Sequence, residues 1–596
     1  MAGLFGFLLR APRDPTWAER RLLAMERATS RGPGHVAIMH RTPSIWVGQS
    51  GPGILPGSLT VHPAPGDGFL LAEGECYHEA ERCERGESPT GPWTWVARRW
   101  TSHGSPALRG LDGLFTLVLG DGAAPRLRIA NDRYGSRRLY VLDTPDAFAF
   151  ASELRPLLTW PEAGTIDAAF LRQVVCLGAP LDGRTWVTGI RLMPPATEYE
   201  VTPAGVRTTR YWSWDDLPQP SDGPAAATLS ADQAGRLQEA WDRALTARLP
   251  GERVGQLLSG GLDSRVILAD GASRRRGDWV AVTYGEPDSD EVRFAREAAA
   301  ASGVPWVCWS LPEPDWLDAR TRYCLANDGV VDIVNAFHAT LRDRLGSLMR
   351  WDISGYLGDL VLGATYEVTT AEEAMRALPY WHSPIALPEA EVRATIEAGI
   401  GAAGARGWLI ETKCRRATNA WAHSAVNVLE VRKPFMDYRL VELAATLPLR
   451  AREARACHRV LLSSHPALAR VPWQKTGVAL DASPVTRWAM RARRLAYRMG
   501  RHGLRPLGVV RRPWVRGAVD LQAWLSAPHV AETLHDTLRG RSARITAYFD
   551  PRAVADILEA TLTRQSVAHE PLLHLYLVER MLGEIPLPSA EVRQLS

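Results

Sequence analysis

The chain of 596 residues is longer than one hydrophobic core usually supports, so its length predicts at least two domains. With 46% hydrophobic and 23% charged residues, the composition is that of a globular protein and excludes disorder over most of the chain. No run approaches ~18 apolar residues, the length of a membrane span. The net charge of +4 is too small to indicate nucleic acid, so we expect neither a membrane span nor a nucleic-acid partner.

The beginning of the chain and its cysteines bear on the cellular compartment. Residues 1–9 are apolar but carry no basic leader, and we interpret them as a first strand rather than a signal peptide. The seven cysteines are scattered and form no C-x-x-C pair, which argues against a disulfide framework and a structural zinc site. These features predict a cytoplasmic protein.

Residues 1–212 are rich in glycine, proline and short β-type runs, a pattern that predicts a first domain of layered sheets. The predicted strands are Val36–Met39, Ser44–Val47, Phe115–Leu119, Leu127–Ala130 and Phe148–Ala151. Residues 213–230 contain Pro-Gln-Pro-Ser-Asp-Gly-Pro and predict a linker.

Residues 231–596 predict a second domain of a different class. A helix over Ala231–Leu249 and a buried strand over Val254–Leu258 begin an alternation of helices and strands. Such alternation is typical of an α/β domain with a doubly wound parallel sheet. Beyond about residue 484 the pattern is mostly helical.

The strongest local signal is Leu257-Leu-Ser-Gly-Gly-Leu-Asp-Ser264, between the predicted strand and a run that can be helical. Glycines let the backbone approach a phosphate, serine hydroxyls add donors, and the helix N-terminus offers free N–H groups. Asp263 is suited to hold Mg²⁺ against those phosphates. The alternative is an ordinary strand–turn–helix corner. The predicted ATP-binding residues here are Ser259, Gly260, Gly261, Leu262, Asp263 and Ser264.

This segment resembles the pyrophosphate loop of ATP pyrophosphatases, which split ATP between its α- and β-phosphates and adenylate a substrate. No Gly-Lys-Ser/Thr follows, so it is not a Walker loop. A second strand over Trp279–Tyr284 precedes Asp288-Ser-Asp-Glu291 and a helix over Val292–Ser302. The resemblance implies that adenosine lies along the ends of these strands, where open sheets bind ligands.

A third segment, Ile353-Ser-Gly-Tyr-Leu-Gly-Asp-Leu-Val-Leu-Gly363, resembles the Ser-Gly-x-Gly-x-Asp-x-x-x-Gly motif of the asparagine synthetase family. The resemblance implies that Gly355 contacts ATP and that Asp359 holds Mg²⁺ together with Asp263. Leu357 stands where the family has its second glycine. Tyr356 replaces the glutamate of asparagine synthetases and is similar to the tyrosine of β-lactam synthetases, which close a ring instead of using ammonia.

Two downstream segments extend the resemblance. Leu429-Glu-Val-Arg-Lys-Pro-Phe-Met-Asp-Tyr-Arg-Leu440 is similar to the family's Glu-x-Arg-x-Pro-Phe-x-Asp segment, and Val471-Pro-Trp-Gln-Lys-Thr-Gly477 to its lysine loop. Lys475, one of three lysines in the chain, is expected beside the α-phosphate, where it would stabilise developing charge. Tyr356 and Glu430 are expected to form the catalytic dyad that takes the proton of the attacking amine.

The first domain resembles the N-terminal-nucleophile (Ntn) glutaminase domain of asparagine synthetases, a layered αββα fold. The resembling segments are residues 1–6, 73–77, 111–115, 131–135 and 150–154. The family's nucleophilic cysteine is replaced by Ala2, which cannot attack glutamine. Glu73 replaces the oxyanion-hole asparagine, and the usual acidic residue is missing near Ser102-His103. We therefore expect a degenerate domain that releases no ammonia.

Without ammonia, the nucleophile must come from the substrate. The length and the Arg/Trp-rich texture resemble the lasso peptide cyclases, which adenylate an Asp or Glu side chain of a linear core peptide and join it to the peptide's N-terminal amine. ATP and Mg²⁺ are the implied cofactors. A leader-binding protein and a leader protease are the implied partners. The alternatives are a β-lactam synthetase, an asparagine synthetase-like enzyme using free ammonia, a tRNA-modifying ATP pyrophosphatase and a non-catalytic scaffold.

Residues 487–516 contain ten arginines and no acidic residue, interleaved with aromatic residues. The pattern suits solvated arginines over a helical layer or a surface that docks the partner proteins. For docking, charge reversal at Arg493 and Arg494 is expected to weaken co-purification with those partners and to leave adenylation of a supplied core peptide intact.

Overall fold

The computed structural model describes residues 3–29, 36–51, 59–77, 92–218, 226–378, 388–418, 429–495, 517–563 and 569–584, apart from positions 276, 331, 366, 369, 484, 487, 491 and 494. Ala2, part of the predicted linker and most of the arginine-rich stretch, including Arg494, lie outside these residues. Among the described residues, no helix is both long and apolar enough to cross a membrane.

Twelve described strands lie in the first domain and five in the second. They are β1 Gly3–Leu9, β2 Val36–Arg41, β3 Ile45–Gly51, β4 His62–Ala64, β5 Gly68–Cys76, β6 Gly113–Gly120, β7 Leu127–Asn131, β8 Tyr140–Asp143, β9 Ala147–Ala151, β10 Ile190–Leu192, β11 Thr197–Thr202, β12 Gly205–Arg210, β13 Val254–Leu257, β14 Trp279–Gly285, β15 Trp306–Ser310, β16 Trp351–Ile353 and β17 Glu430–Arg432.

The described helices connect and cover these strands. They are α1 Pro15–Thr29, α2 Pro92–His103, α3 Pro106–Arg109, α4 Arg155–Leu158, α5 Ala168–Leu177, α6 Ala231–Arg248, α7 Leu262–Arg274, α8 Asp290–Ser302, α9 Trp316–Ala326, α10 Arg342–Leu348, α11 Gly358–Val361, α12 Ala371–Arg376, α13 Glu389–Ala403, α14 Ala405–Ile410, α15 Tyr438–Thr446, α16 Leu449–Glu453, α17 Ala456–Leu461, α18 Pro466–Arg470, α19 Leu521–Leu525, α20 Pro528–Arg539, α21 Pro551–Leu562 and α22 His569–Glu584. Residues 411–418 form a π-helical run after α14.

The first domain stacks two antiparallel sheets between helices, in the αββα order. One sheet has the strand order β10-β8-β9-β1-β3-β2 and the other β12-β11-β7-β6-β5-β4. Side chains alternate between the faces of β1, so Leu4 and Leu8 enter the core between the sheets while Phe5 and Phe7 face α1. Trp100 of α2 packs on the outer face of the other sheet, as α1 packs on the outer face of the first sheet. The Ntn-like layered fold predicted from the resemblance is confirmed.

The second domain contains a five-stranded parallel sheet with the order β15-β14-β13-β16-β17. The inner strands β13, β14 and β16 are mostly buried on both faces, which explains their apolar runs, whereas the edge strand β15 is partly exposed. β14 and β15 lie on one side of β13, and β16 and β17 lie on the other. The carboxyl ends of β13, β14 and β16 therefore border one crevice, where such sheets bind ligands. The predicted parallel α/β sheet and helical C-terminal part are confirmed.

Buried charges join the two domains. The Arg248 guanidinium donates to Asp112 of the first domain at 2.8 and 3.0 Å and to Asp437 of the second at 2.8 Å. Arg432 of β17 donates to Glu75 of β5 at 3.1 Å. Since a buried guanidinium must be paired with acceptors, these contacts fix the front domain beside the sheet edge formed by β17.

Candidate active site

A cavity of about 440 Å³ lies at the carboxyl ends of the parallel strands. The loop after β13, the start of α7, the end of β14, the loop after β16 and Lys475 form its walls. The predicted residues that line it are Ser259, Gly261, Asp263, Ser264, Gly355, Tyr356, Asp359 and Lys475. Segments up to about 220 residues apart in the chain therefore meet at one site.

The first wall is the predicted phosphate loop. β13 ends at Leu257 and α7 begins at Leu262, so the intervening residues turn within the cavity wall. The Gly261 N–H donates to Ser259 Oγ at 3.1 Å, and the Ser259 and Ser264 hydroxyls lie 3.1 Å apart. Gly261 provides no side-chain cap for α7, which leaves the first N–H groups of the helix able to bind an anion.

Gly260 lies at the tip of this loop, where there is no room for a side chain. An added Cβ there would lie 2.9 Å from the Cβ of Gln474, in the lysine loop. The two loops also share a hydrogen bond from the Gln474 N–H to the Gly260 carbonyl at 3.2 Å. The phosphate loop and the lysine loop therefore pack directly on one another.

Arg265 also connects the phosphate loop to the lysine loop. Its side chain is buried and donates to the carbonyl of Val471 at 2.6 Å and that of Pro472 at 2.9 Å. Burial lowers the pKa of Arg265 to about 10, which still leaves it charged at neutral pH. By tying α7 to the residues just before Lys475, Arg265 positions the lysine relative to the phosphate loop.

Two carboxylates face the cavity, each with cationic or imidazole partners. Asp263 Oδ1 lies 2.8 Å from Nε2 of the fully buried His458. Asp359 accepts from Lys475 and, at 3.3 Å, from Arg455. Burial alone would raise the pKa of Asp359, but Lys475 and Arg455 outweigh it and hold the pKa below its ordinary value. The Asp359 carboxylate is thus held in its charged form.

These carboxylates fit a magnesium site of the kind that nucleotides complete. Within the described residues, no group of three or more His, Cys, Asp or Glu side chains is arranged to hold a metal. Mg²⁺ in nucleotide sites takes one or two carboxylates and fills its other positions with phosphate oxygens and water. Asp263 and Asp359, which line the same cavity, match that requirement.

The loop after β16 has a left-handed residue at the position of the substituted glycine. Leu357 adopts a left-handed conformation with φ of 67°, which costs a non-glycine residue about 1 kcal/mol or more. Its side chain is buried in the apolar core beneath the site, which offsets this strain. The sequence left the local conformation of this loop open, and the structure shows that leucine occupies the left-handed position.

Gly358 holds Asp263 in place by close contact. An alanine Cβ at position 358 would lie 2.4 Å from the Asp263 Cγ and 2.6 Å from its Cβ, so the whole side chain would have to move. We expect Gly358→Ala to lower ATP-dependent pyrophosphate release about a hundredfold, because misplacement of about 1 Å has effects of that size. Gly401→Ala is the control, since nothing lies within 4 Å of its added Cβ. Equal activity of both variants would contradict the close packing.

Tyr356 and Glu430 have different surroundings. The Tyr356 hydroxyl donates to the Cys414 carbonyl at 2.6 Å. Val431 of β17 lines the cavity, whereas its neighbour Glu430 is buried and is not among the lining residues. Burial raises the pKa of Glu430, and nearby Arg137 opposes that effect. The catalytic dyad of Tyr356 and Glu430 stays a prediction.

Lys433 is the second lysine near the site. Its Nζ lies 4.9 Å from the centre of the Tyr356 ring, and its side chain is buried. Burial, aided by Arg137, lowers the pKa of Lys433 to about 7 from its ordinary 10.5. An amine here is therefore held in low-dielectric surroundings against the phenol.

This shift predicts a pH-dependent stability. Below pH about 7 the lysine is charged in both states, whereas between about 7 and 10.5 only the unfolded chain binds its proton. The free energy of unfolding of the wild type, relative to Lys433→Met, should therefore rise with pH in that window, by up to about 1.4 kcal/mol per unit. Urea unfolding of both proteins from pH 6 to 10 measures it. A constant difference would mean that Lys433 titrates normally.

Glu73 lies where the resemblance implies an oxyanion-hole asparagine. Glu73 of β5 is buried, and its Oε2 accepts from Ser152 Oγ at 2.7 Å. Burial raises the pKa of Glu73, opposed by Arg137 and the Ser152 hydrogen bond. An oxyanion hole requires N–H donors directed at the developing negative charge, and a carboxyl oxygen cannot supply them.

The sequence patterns did not predict three residues that support the site, namely Arg265, His458 and Asp352. Arg265 and His458 were missed because their partners lie far away in the chain. Asp352 of β16 is a buried carboxyl that lines the cavity and accepts from the Leu257 N–H at 2.9 Å. Burial raises the pKa of Asp352 to about 6. An acidic residue inside an apolar strand was the available signal for it.

Comparison with protein families agrees with this geometry. The asparagine synthase family matches residues 234–393 and 408–582, and a glutamine amidotransferase domain family matches residues 94–212. The first match covers more than half of the chain. The chain belongs to the asparagine synthase family.

Individual relatives are more distant. Asparagine synthetase [glutamine-hydrolyzing] 3 of Bacillus subtilis (strain 168) is 25% identical over 203 residues. That match spans 33% of this chain and 32% of the relative, so only about a third of the relative's length is covered.

Two solved structures show weaker overall similarity, each at 12% identity. The allosteric regulatory enzyme of purine biosynthesis has a TM-score of 0.26, covering 52% of this chain and 80% of its own. Glutamine phosphoribosylpyrophosphate amidotransferase from B. subtilis, complexed with ADP and GMP, has a TM-score of 0.25, covering 63% and 77%. Such scores are too low to relate the overall folds.

Proposed function

We propose that this member of the asparagine synthase family closes the macrolactam ring of a lasso peptide. In this reaction the enzyme adenylates an Asp or Glu side chain of a linear core peptide, and the peptide's own N-terminal amine then forms the amide. The observation that carries the proposal is the convergence of Asp263, Asp359 and Lys475 on one cavity. The expected loss of the ammonia-producing residues from the front domain, with Ala2 and Glu73 in their place, supports it. Family membership supports ATP-dependent amide formation in general.

The cavity suits the first half of the reaction. The N–H groups at the start of α7 and the hydroxyls of Ser259 and Ser264 bind the pyrophosphate part of ATP. Asp263 and Asp359 would hold Mg²⁺, which neutralises phosphate charge when bound. A side-chain carboxylate oxygen attacks the α-phosphorus, the α–β bond breaks, and pyrophosphate leaves. Lys475 stabilises the charge on the α-phosphate as this happens.

The second half forms the amide bond. The N-terminal amine attacks the acyl carbon, the bond to AMP breaks, and the amine loses a proton. Tyr356 is the proposed proton acceptor, with its hydroxyl oriented by the Cys414 carbonyl. Glu430 is its proposed partner in the dyad. Because Tyr356 takes the place of the glutamate of asparagine synthetases, the proposal favours an amine of the substrate over ammonia.

The front domain then has a structural role, which makes a clear prediction. Glutamine should neither be hydrolysed nor stimulate product formation, since Ala2 offers no nucleophile and Glu73 offers no oxyanion donor. The measurement is glutamate release by the purified protein, with ammonium chloride in a parallel reaction as the control for use of free ammonia. Glutamate formed at a rate comparable to AMP would contradict a structural front domain.

A second candidate is ring closure of a small β-amino acid, as in β-lactam synthetases, because Tyr356 is shared with those enzymes. Pyrophosphate release with linear peptides, compared with release driven by small β-amino acids, separates the two. The lasso proposal includes a cytoplasmic location and two partners, a leader-binding protein and a leader protease, which supply the core peptide. It includes no nucleic-acid substrate.

A further inference from the structure

A second, larger cavity lies beside the candidate active site. It has a volume of about 950 Å³, and its walls include Arg455, Trp473, Thr476, Trp488 and Met490. We call this cavity the outer groove. It is more than twice as large as the cavity that contains the phosphate loop, whose volume is about 440 Å³. None of the residues assigned to ATP lines it.

One loop separates the outer groove from the active site. Residues 473–478 close on themselves through a hydrogen bond from the Trp473 N–H to the Val478 carbonyl at 3.0 Å. Lys475, at the tip, contacts Asp359 in the active site, while Trp473 and Thr476 line the groove. A ligand in the groove therefore lies against the loop that carries the proposed catalytic lysine.

Arg455 connects the two cavities electrostatically. Its guanidinium donates to Asp359 at 3.3 Å and also lies 4.9 Å from the centre of the Trp473 ring. Arg459 lines the groove as well, and Glu453 is the acidic residue among its lining side chains. The groove thus has a small excess of positive charge next to aromatic surface, a combination that suits a ligand bearing both carboxylate and apolar groups.

The segment that contributes Trp488 to the groove carries unusually exposed apolar side chains. In the described part of the chain, the three large apolar side chains with the highest exposure are Val485, Trp488 and Leu495, at 74%, 72% and 59%. All three fall within residues 485–495, and Trp488 lines the groove. Clustered exposed apolar residues with a tryptophan mark binding surfaces more often than scattered ones do.

We propose that the outer groove binds the part of the linear peptide that follows its acceptor Asp or Glu residue. This inference rests on the proposed function and adds the enzyme's subsite for the rest of the chain. The occupant must present a carboxylate at Lys475 and apolar surface at Trp488 at the same time. A peptide of several residues can do both, whereas a small amino acid that fills the active site leaves the groove unused.

The test compares Trp488→Ala with Leu495→Ala. Both side chains are largely exposed, so neither substitution removes core packing, and Leu495 is absent from the groove wall. The probes are the best substrate from a pool of synthetic linear peptides, each with a free N-terminal amine and one Asp or Glu, and free aspartate and glutamate. AMP formation is measured against peptide and against ATP.

We expect Trp488→Ala to raise the peptide KM about tenfold, with kcat and the ATP KM unchanged and Leu495→Ala within twofold of the wild type. Shortening the peptide after its acceptor residue should raise KM in the wild type and hardly change it in Trp488→Ala, because the lost contact is the same. An unchanged KM, or an equal rise for the control, overturns the inference. A lower peptide KM in Trp488→Ala also overturns the inference, because it would mean that another segment of this chain covers the groove.

Failure of the proposed function is visible separately in the wild type. If the wild type forms AMP with free aspartate, glutamate or a small β-amino acid and with no peptide of the pool, the peptide-cyclase proposal is wrong and the groove inference falls with it. If the wild type turns over a peptide but Trp488→Ala matches its KM, the groove inference alone is wrong.

Discussion

Replacing Asp263 by asparagine should reduce ATP-dependent AMP formation about a thousandfold. The change keeps the size of the side chain but removes the negative charge that would hold Mg²⁺ against the pyrophosphate. Asp359→Asn should have a similar effect, because the two carboxylates face one cavity. Pyrophosphate release in the presence of substrate measures both variants.

Asp270→Asn is the matched control for this experiment. Asp270 lies on the same helix as Asp263 and contacts His465 Nε2 at 3.1 Å, much as Asp263 contacts His458 at 2.8 Å. It does not line the active-site cavity. We expect Asp270→Asn to retain most of the activity. Full-rate AMP formation by Asp263→Asn would mean that the loop after β13 is not the pyrophosphate loop.

Lys475→Arg should resemble Lys475→Ala more closely than the wild type, with each variant losing about a hundredfold or more in AMP formation. Arginine keeps the charge but spreads it over a planar fork that the compact position beside Asp359 does not match. The Lys475 side chain is half exposed, so neither variant should unfold the protein. Thermal unfolding provides that control, and near-normal turnover by Lys475→Arg would remove the lysine from the catalytic set.

Much of the fold could be predicted because its signals are local. The apolar runs of the first domain correspond to β2, β3, β6, β7 and β9 with shifts of a few residues at their ends. The helix predicted over Ala231–Leu249 ends one residue earlier, at Arg248. The phosphate loop was found because a strand end, two glycines and a helix start are adjacent in the chain, and each has a characteristic residue preference.

The supporting contacts could not be predicted because they join distant segments. Arg265 reaches residues more than 200 positions away, and Arg248 contacts both Asp112 and Asp437. An arginine in a helix is ordinarily interpreted as exposed, and only tertiary packing reveals that these two are buried. The surroundings of Tyr356 depend in the same way on the Cys414 carbonyl, whose position no local pattern indicates.

The oxygen atoms of the acceptor carboxylate report directly on its adenylation. A linear peptide with a C-terminal amide and ¹⁸O in both oxygens of its single Asp or Glu side chain is incubated with ATP, Mg²⁺ and the enzyme. Carboxylate adenylation followed by ring closure predicts one ¹⁸O atom in each AMP formed, one AMP per product molecule, and a product lighter than the peptide by one labelled water. AMP without ¹⁸O, or a product formed without AMP, would contradict carboxylate adenylation followed by attack of the peptide's own amine.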